Sequence, residues 1–156
     1  MKKHFKKVFS INLEPGYRNY TVKDLLDIKG KKKLTQILVS SPDEAAAAEE
    51  ANIDLILAKP DENVRKIREA ASKTFMTVAI PFIKYSSKND IVKKALELVE
   101  IGADSIHCGS WNINFMKYLN EFKIPFQGHA GLVPRRSTWI GGVRAFGKTS
   151  KEAIQL

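Results

Sequence analysis

The sequence predicts an α/β protein, a parallel (β/α) barrel of TIM type that is incomplete in this chain, with about five β/α units. Three observations predict it. Short apolar runs recur along the chain, and they are continuous rather than alternating, as strands covered on both faces require. Segments with readable helix caps lie between them. Strand and helix alternate without interruption, the pattern that builds a parallel sheet through crossover helices. An open doubly wound sheet has the same alternation and stands as the competing architecture. A full barrel takes about 250 residues, against 156 here.

The predicted strands are Leu34 to Val39, Leu55 to Ala58, Phe75 to Ile80, Ser105 to Cys108 and Ile124 to Gln127. The first helix opens with Ser41-Pro42-Asp43-Glu44, a hydroxyl cap, a proline at the first helical position and a glutamate three residues after the serine, and it runs through Ala45 to Ala51. This is a capping box. Lys59-Pro60-Asp61-Glu62 opens a second helix without the cap hydroxyl, with Val64, Ile67 and Ala71 as its apolar stripe. A third carries Ile91, Ala95, Leu98 and Val99 at helical spacing and ends at Gly102. A fourth carries Trp111, Phe115, Leu119 and Phe122. Another helix starts near Thr149. Two domains are expected: residues 1–30, a basic irregular leader with a short helix at Val22 to Ile28, and residues 31–156, the partial barrel.

Composition narrows the function classes. The apolar fraction of 44% is that of a soluble globular chain. No apolar run approaches membrane-span length, and the basic start has no apolar stretch behind it that would make a secretory signal. Cys108 is the single cysteine, which excludes an intrachain disulfide and points to a reducing, cytoplasmic setting. The net charge of +9 raises nucleic-acid binding as a reading. Yet the clusters Lys2, Lys3, Lys6, Lys7 and Lys31-Lys32-Lys33 lack interleaved aromatics for base stacking and read as solvated surface lysines. Nucleic acid and membrane are therefore not the expected partners.

Both candidate architectures bind ligands at the carboxyl ends of their strands. The candidates there are Ser40 and Ser41, Lys59, Pro81 to Tyr85, His107 to Ser110, and Gly128 to Arg136. The last stretch is the most informative, because a histidine among glycines is held by backbone that can approach a ligand closely. His129 and His107 are the expected catalytic groups, as polariser or acid/base. Lys59, Ser41, Arg135 and Arg136 are the expected substrate-binding groups. Lys59 can hold an anion or form a Schiff base. Arg135 and Arg136 are adjacent, so one of the two is expected to clamp a carboxylate. Each has a plainer reading: Ser41 as a helix cap, Lys59 as a surface lysine, Cys108 as a small buried apolar group, and His107 as a core histidine. No strand end carries a carboxylate or a paired metal-ligand motif, so no metal site is expected.

Gly128-His129-Ala130-Gly131-Leu132-Val133-Pro134, followed by Gly141-Gly142-Val143-Arg144 and Gly147, resembles the glycine-rich region of the ketopantoate hydroxymethyltransferase family, in the phosphoenolpyruvate mutase and isocitrate lyase barrel superfamily. Ala48 to Leu57, Pro81-Phe82 with Tyr85, Gly102-Ala103-Asp104 and Val22 to Gly30 resemble further family segments in the right order, covering about residues 20–156. The resemblance implies hydroxymethyl transfer from methylenetetrahydrofolate to 3-methyl-2-oxobutanoate with Mg2+, a small 2-keto acid as ligand, and a place in pantothenate biosynthesis. It also implies that His129 contacts substrate. This chain departs from the family at the metal. Lys59 and Ala79 stand where the family has aspartates. His107 and Gly109 stand where it has lysine and glutamate, and Ser40 and Ser41 where it has tyrosine and aspartate. Mg2+ would meet a cation at Lys59. A homo-oligomer or a complementary carboxyl-terminal half is expected, since a five-stranded parallel sheet leaves apolar edges. A non-catalytic relative that binds an anionic metabolite or a partner subunit is the alternative.

Overall fold

The computed structural model describes residues 5–80, 84, 85, 87–109 and 113–156. Pro81, Phe82, Ser110 and Trp111, named above, lie outside the described residues, and so does the side chain of Cys108.

Five strands form one parallel sheet in chain order: β3 (Gln36–Val39), β4 (Leu55–Ala58), β5 (Phe75–Ala79), β6 (Ser105–Gly109) and β7 (Phe126–His129). A doubly wound sheet reverses direction from its first strand, and its order is not sequential. Here each crossover advances by one strand, which is barrel winding. The helices α2 (Pro42–Glu50), α3 (Val64–Ala70), α4 (Lys88–Ile101) and α5 (Ile113–Glu121) connect the strands. One face of β3 to β6 meets them: Val39, Ile56, Ala58, Met76, Val78 and Ile106 pack with Ala45, Ala48, Ile67, Ile91, Leu98 and Leu119. Each buried large aliphatic contributes about 1.5–3 kcal/mol. Ala45 and Ala48 let α2 lie close to the sheet.

The other face is concave. Gln36 on β3 and Gln127 on β7 meet across it, each amide donating to the other's oxygen at 3.3 Å. The first and fifth strands of the sheet touch only if it curls as a barrel wall does. Beneath them, Thr77 and Ser105 share a buried hydroxyl hydrogen bond of 2.7 Å. At the amino ends of the strands, α1 (Val22–Asp27) stops the interior. Its Val22, Leu25 and Leu26 face Leu55 and Phe75 around a cavity of about 190 Å³.

Several predicted bounds shift, for local reasons. The predicted leader contains an antiparallel hairpin, β1 (Lys6–Phe9) with β2 (Pro15–Arg18). The capping box at Ser41 is half formed. The Ser41 hydroxyl accepts from the Glu44 amide, but the Glu44 carboxylate turns back to the Ser40 amide at 2.6 Å. The second predicted helix starts at Val64, not at Pro60. Without a cap hydroxyl there, the Asp61 side chain accepts from the Asn63 amide and makes a turn instead. The fifth strand begins at Phe126, two residues late, because Pro125 has no N–H to give the ladder. The first strand is not covered on both faces as expected: Ile37 is 45% and Leu38 52% exposed. β3 is an edge, and among the described residues no strand lies beyond it. The carboxyl end matches its prediction, with Thr149 capping α7 (Ser150–Gln155). Among the described residues no helix is long and apolar enough to cross a membrane.

A carboxylate knot holds the amino ends together. Asp104, just before β6, accepts from the Met76 amide at 2.8 Å, from Arg18 at 2.8 and 3.0 Å and from Arg68 at 3.1 Å. Arg68 is 7% exposed and also donates to the carbonyls of Ala71 and Thr74. Burial pulls its guanidinium down to about 10, against the favourable pull of Asp104. Gly102 is required beside it: φ is +110°, and a Cβ would sit 2.9 Å from the Arg68 stem. Asp54, just before β4, repeats the device on Thr35 and Tyr20. The substitution Asp104→Ala, which strands Arg68 without a counterion, is expected to lower the urea unfolding free energy by about 3–5 kcal/mol. Adding Arg68→Met is expected to recover part of that loss.

Candidate functional site

Parallel pairing puts His107 of β6 opposite Gln127 of β7, and Gly109 opposite His129. Side chains alternate along a strand. Ile106 belongs to the helix-facing core, so His107 faces the concave side, as do Gln127 and His129. The two imidazoles come together at the carboxyl ends of adjacent strands, with ring centroids 6.0 Å apart and planes tilted by 37°.

His129 is the last residue of β7 rather than part of the loop that follows. Gly131, at φ +80°, turns the chain back so that the Leu132 carbonyl accepts from His129 Nε2 at 3.2 Å. His107 is half-buried, and its Nδ1 is enclosed without a hydrogen-bond partner. Burial first, and then the neighbouring His129, hold its imidazole below the usual range. It is therefore a neutral group at physiological pH.

The remaining predicted residues share the same end of the sheet but not the same contact. Ser41 follows β3, and its hydroxyl is engaged as the cap of α2. Lys59 follows β4 and is exposed. β5 separates β4 from the histidine strands. Arg135 and Arg136 sit on a single 3-10 turn, Pro134–Arg136, just past the His129 loop; Arg135 is exposed and Arg136 half-buried.

Sequence reasoning missed two polar features. Gln127 lies on the concave face two residues before His129, and that spacing is the signal that pairs them. Glu44 brings a carboxylate back to the end of β3, where no carboxylate was expected. The donor set does not fit Mg2+, which takes carboxylate and other oxygen ligands in octahedral geometry. Lys59, Ala79 and His107 occupy three strand ends, and among the described residues no three His, Cys, Asp or Glu side chains gather around one point. The arrangement is suited to an oxyanion: two imidazoles at the centre, with Lys59 and the arginine turn on the same end.

The model of the ketopantoate hydroxymethyltransferase family matches residues 61–156. A 3-methyl-2-oxobutanoate hydroxymethyltransferase of Kosmotoga olearia is 31% identical over 158 residues, covering 86% of this chain and 59% of that protein. Proteins of the same name from Thermosipho melanesiensis and Pyrococcus furiosus are 28% and 26% identical, over 60% and 57% of their lengths. The chain thus spans about three fifths of the length of these curated relatives.

Two outcomes follow from the geometry. Because folded His107 resists protonation, the unfolded chain binds more protons on the acid side, and stability falls as pH drops below about 6.5. His107→Gln is expected to flatten the decline in thermal midpoint between pH 7 and pH 5. Gly131→Ala meets no atom within 4 Å but must hold a left-handed φ, and is expected to cost about 1–2 kcal/mol in urea unfolding.

Proposed function

This chain belongs to the ketopantoate hydroxymethyltransferase family, and on that premise we propose that its strand-end site binds and acts on a small 2-keto acid of the 3-methyl-2-oxobutanoate type. The paired His107 and His129 carry this reading. Their ring N–H groups are donors of the kind that a carboxylate and its adjacent ketone oxygen require. His129 is the residue through which the ketone oxygen is polarised, and Lys59 with the Arg135-Arg136 turn supplies the positive field that draws the anion in. Ser41 contributes a hydroxyl at the rim. The family reaction is transfer of a hydroxymethyl group from methylenetetrahydrofolate to the keto acid. Lys59, Ala79 and His107 at the strand ends do not suit Mg2+.

A second reading is favoured by the same departures. With Lys59, Ala79 and Gly109 at three acidic family positions, the chain is a binding relative that holds the anion without turning it over. The exposed Ile37 and Leu38 on β3 support an assembled state, with either a second copy of the chain or further barrel strands laid along that edge. The lone Cys108 supports a cytoplasmic setting.

Isothermal calorimetry with 3-methyl-2-oxobutanoate tests the shared core of both readings. Binding is expected in EDTA, with no tightening on addition of Mg2+. Lys59→Ala is expected to weaken it about tenfold, or about 1.4 kcal/mol. Metal-dependent tightening would sink the proposal. Product formation with methylenetetrahydrofolate then separates enzyme from binder.

A further inference from the structure

We propose that the outward face of the amino-terminal hairpin binds single-stranded nucleic acid, stacking bases on Phe5, Phe9 and Tyr17. The hairpin lies outside residues 61–156, where the family model matches. The inference is independent of the 2-keto acid reading.

Strand alternation builds this face. In the antiparallel ladder Lys7 stands opposite Tyr17 and Phe9 opposite Pro15, while Lys6 stands opposite Arg18 and Val8 opposite Gly16. Opposed residues share a face, and the face changes at every step. Lys6, Val8, Gly16 and Arg18 turn toward the body of the protein, where Lys6 pairs with Asp24 of α1 and Arg18 with Asp104. The other set, Lys7, Phe9, Pro15 and Tyr17, is exposed at every position. Phe5, one residue before the ladder, continues its alternation. Phe5 is 41%, Phe9 60% and Tyr17 52% exposed. Three aromatic rings thus stand on one bare face of a two-stranded ribbon, a concentration of apolar surface that marks an interaction site.

The charges among the rings select the partner. Lys7 falls between Phe5 and Phe9 in the alternation, and its Nζ lies 5.2 Å from the Phe9 ring centroid. Lys73, in the turn before β5, brings its Nζ to 5.2 Å from the Phe5 centroid. Lys6 and Arg18 are neutralised on the inner face, so Lys7 and Lys73 are the cations beside the rings. Glu14 is the only acid between Phe5 and Arg18, and the chain carries a net charge of +9. The complement of such a face is a polyanion with flat aromatic groups, its bases on the rings and its phosphates on the ammoniums.

A duplex keeps its base faces inside its own stack, so the single strand is the form that fits. An apolar protein surface would bury the Lys7 ammonium in the middle of the patch without a counterion. From Phe5 to the Lys7–Tyr17 pair, and from that pair to Phe9, the step is two residues, about 6.6 Å along the strand. Each ring therefore has room for a base of its own. Aromatics interleaved with lysines, which the amino-terminal cluster lacks when read along the chain, come from pairing one strand with the other.

Fluorescence anisotropy of the whole chain with a labelled oligothymidylate, about twelve nucleotides long, tests the face. A roughly micromolar Kd is expected at about 50 mM salt, tighter than for a duplex of the same length. Phe9→Leu and Tyr17→Leu keep apolar bulk and remove the ring; each is expected to weaken binding by roughly fivefold or more at an unchanged salt dependence. Lys7→Gln is expected to make the logarithmic salt slope shallower by about 0.7. These side chains are exposed, and an unchanged thermal midpoint checks that the variants fold. Absence of oligonucleotide binding overturns the inference. Equal binding of the duplex, or full affinity in both aromatic variants, shows charge acting alone and overturns it too. Sedimentation with phosphatidylserine vesicles and light scattering of the chain by itself cover the other occupants. Vesicle binding or self-association that Phe9→Leu abolishes, without oligonucleotide binding, assigns the face to a membrane or a second copy and overturns the inference. None of these results touches the 2-keto acid reading, which calorimetry at the strand ends decides.

Discussion

A parallel strand starts with an amide that needs an acceptor at the very edge of the ladder, and this fold answers with carboxylates. Asp104 takes the Met76 amide and Asp54 takes the Thr35 amide, each from the residue just before its own strand. The same carboxylates then recruit Arg18 and Arg68, or Tyr20. The knots align neighbouring strands at their amino ends. With a fixed side-chain period of two, alignment at one end fixes which residues share a face at the other. The placement of His107 beside His129 rests in the same way on the amino end of their own strand pair, where the Ile106 amide donates to the Pro125 carbonyl at 2.9 Å.

The curl of the sheet has a similar reach. The amide pair Gln36–Gln127 spans the concave face, and the α1 plug fills its lower end. The open end is the one where Lys59, the histidines and the arginine turn collect. A stable amino end and a chemically varied carboxyl end is the division of labour that barrel proteins use generally. Here the varied end carries Lys59, two imidazoles and two arginines, a set whose charge suits an anion better than a divalent cation.

Much of this was legible in the sequence because it is local. The capped helices at Ser41 and Thr149, the glycine stop at Gly102 and the apolar runs are each readable within a dozen residues. The hairpin at 6–18 was not, because what anchors it is Arg18 reaching a carboxylate 86 positions away. The late start of β7 was readable in principle from Pro125, and missing it placed His129 in a loop instead of on a strand. The six candidate residues are legible as strand-end groups because each follows or ends an apolar run. What their order along the chain does not contain is that the two histidines approach each other, which depends on the register of β6 against β7.

The lysine run at 31–33 acquires a meaning beside the bare strand that follows it. Lys31 and Lys32 are tethered to the Asp27 carbonyl and the Tyr20 hydroxyl, so their charge is fixed near the entry to β3. An identical strand arriving in parallel would bring its own three cations to the same place, and like charge would push the two copies apart. Along that edge, like charge works against a parallel, in-register stack of identical strands, and so against fibrous self-stacking, without opposing other ways in which a neighbour can meet it.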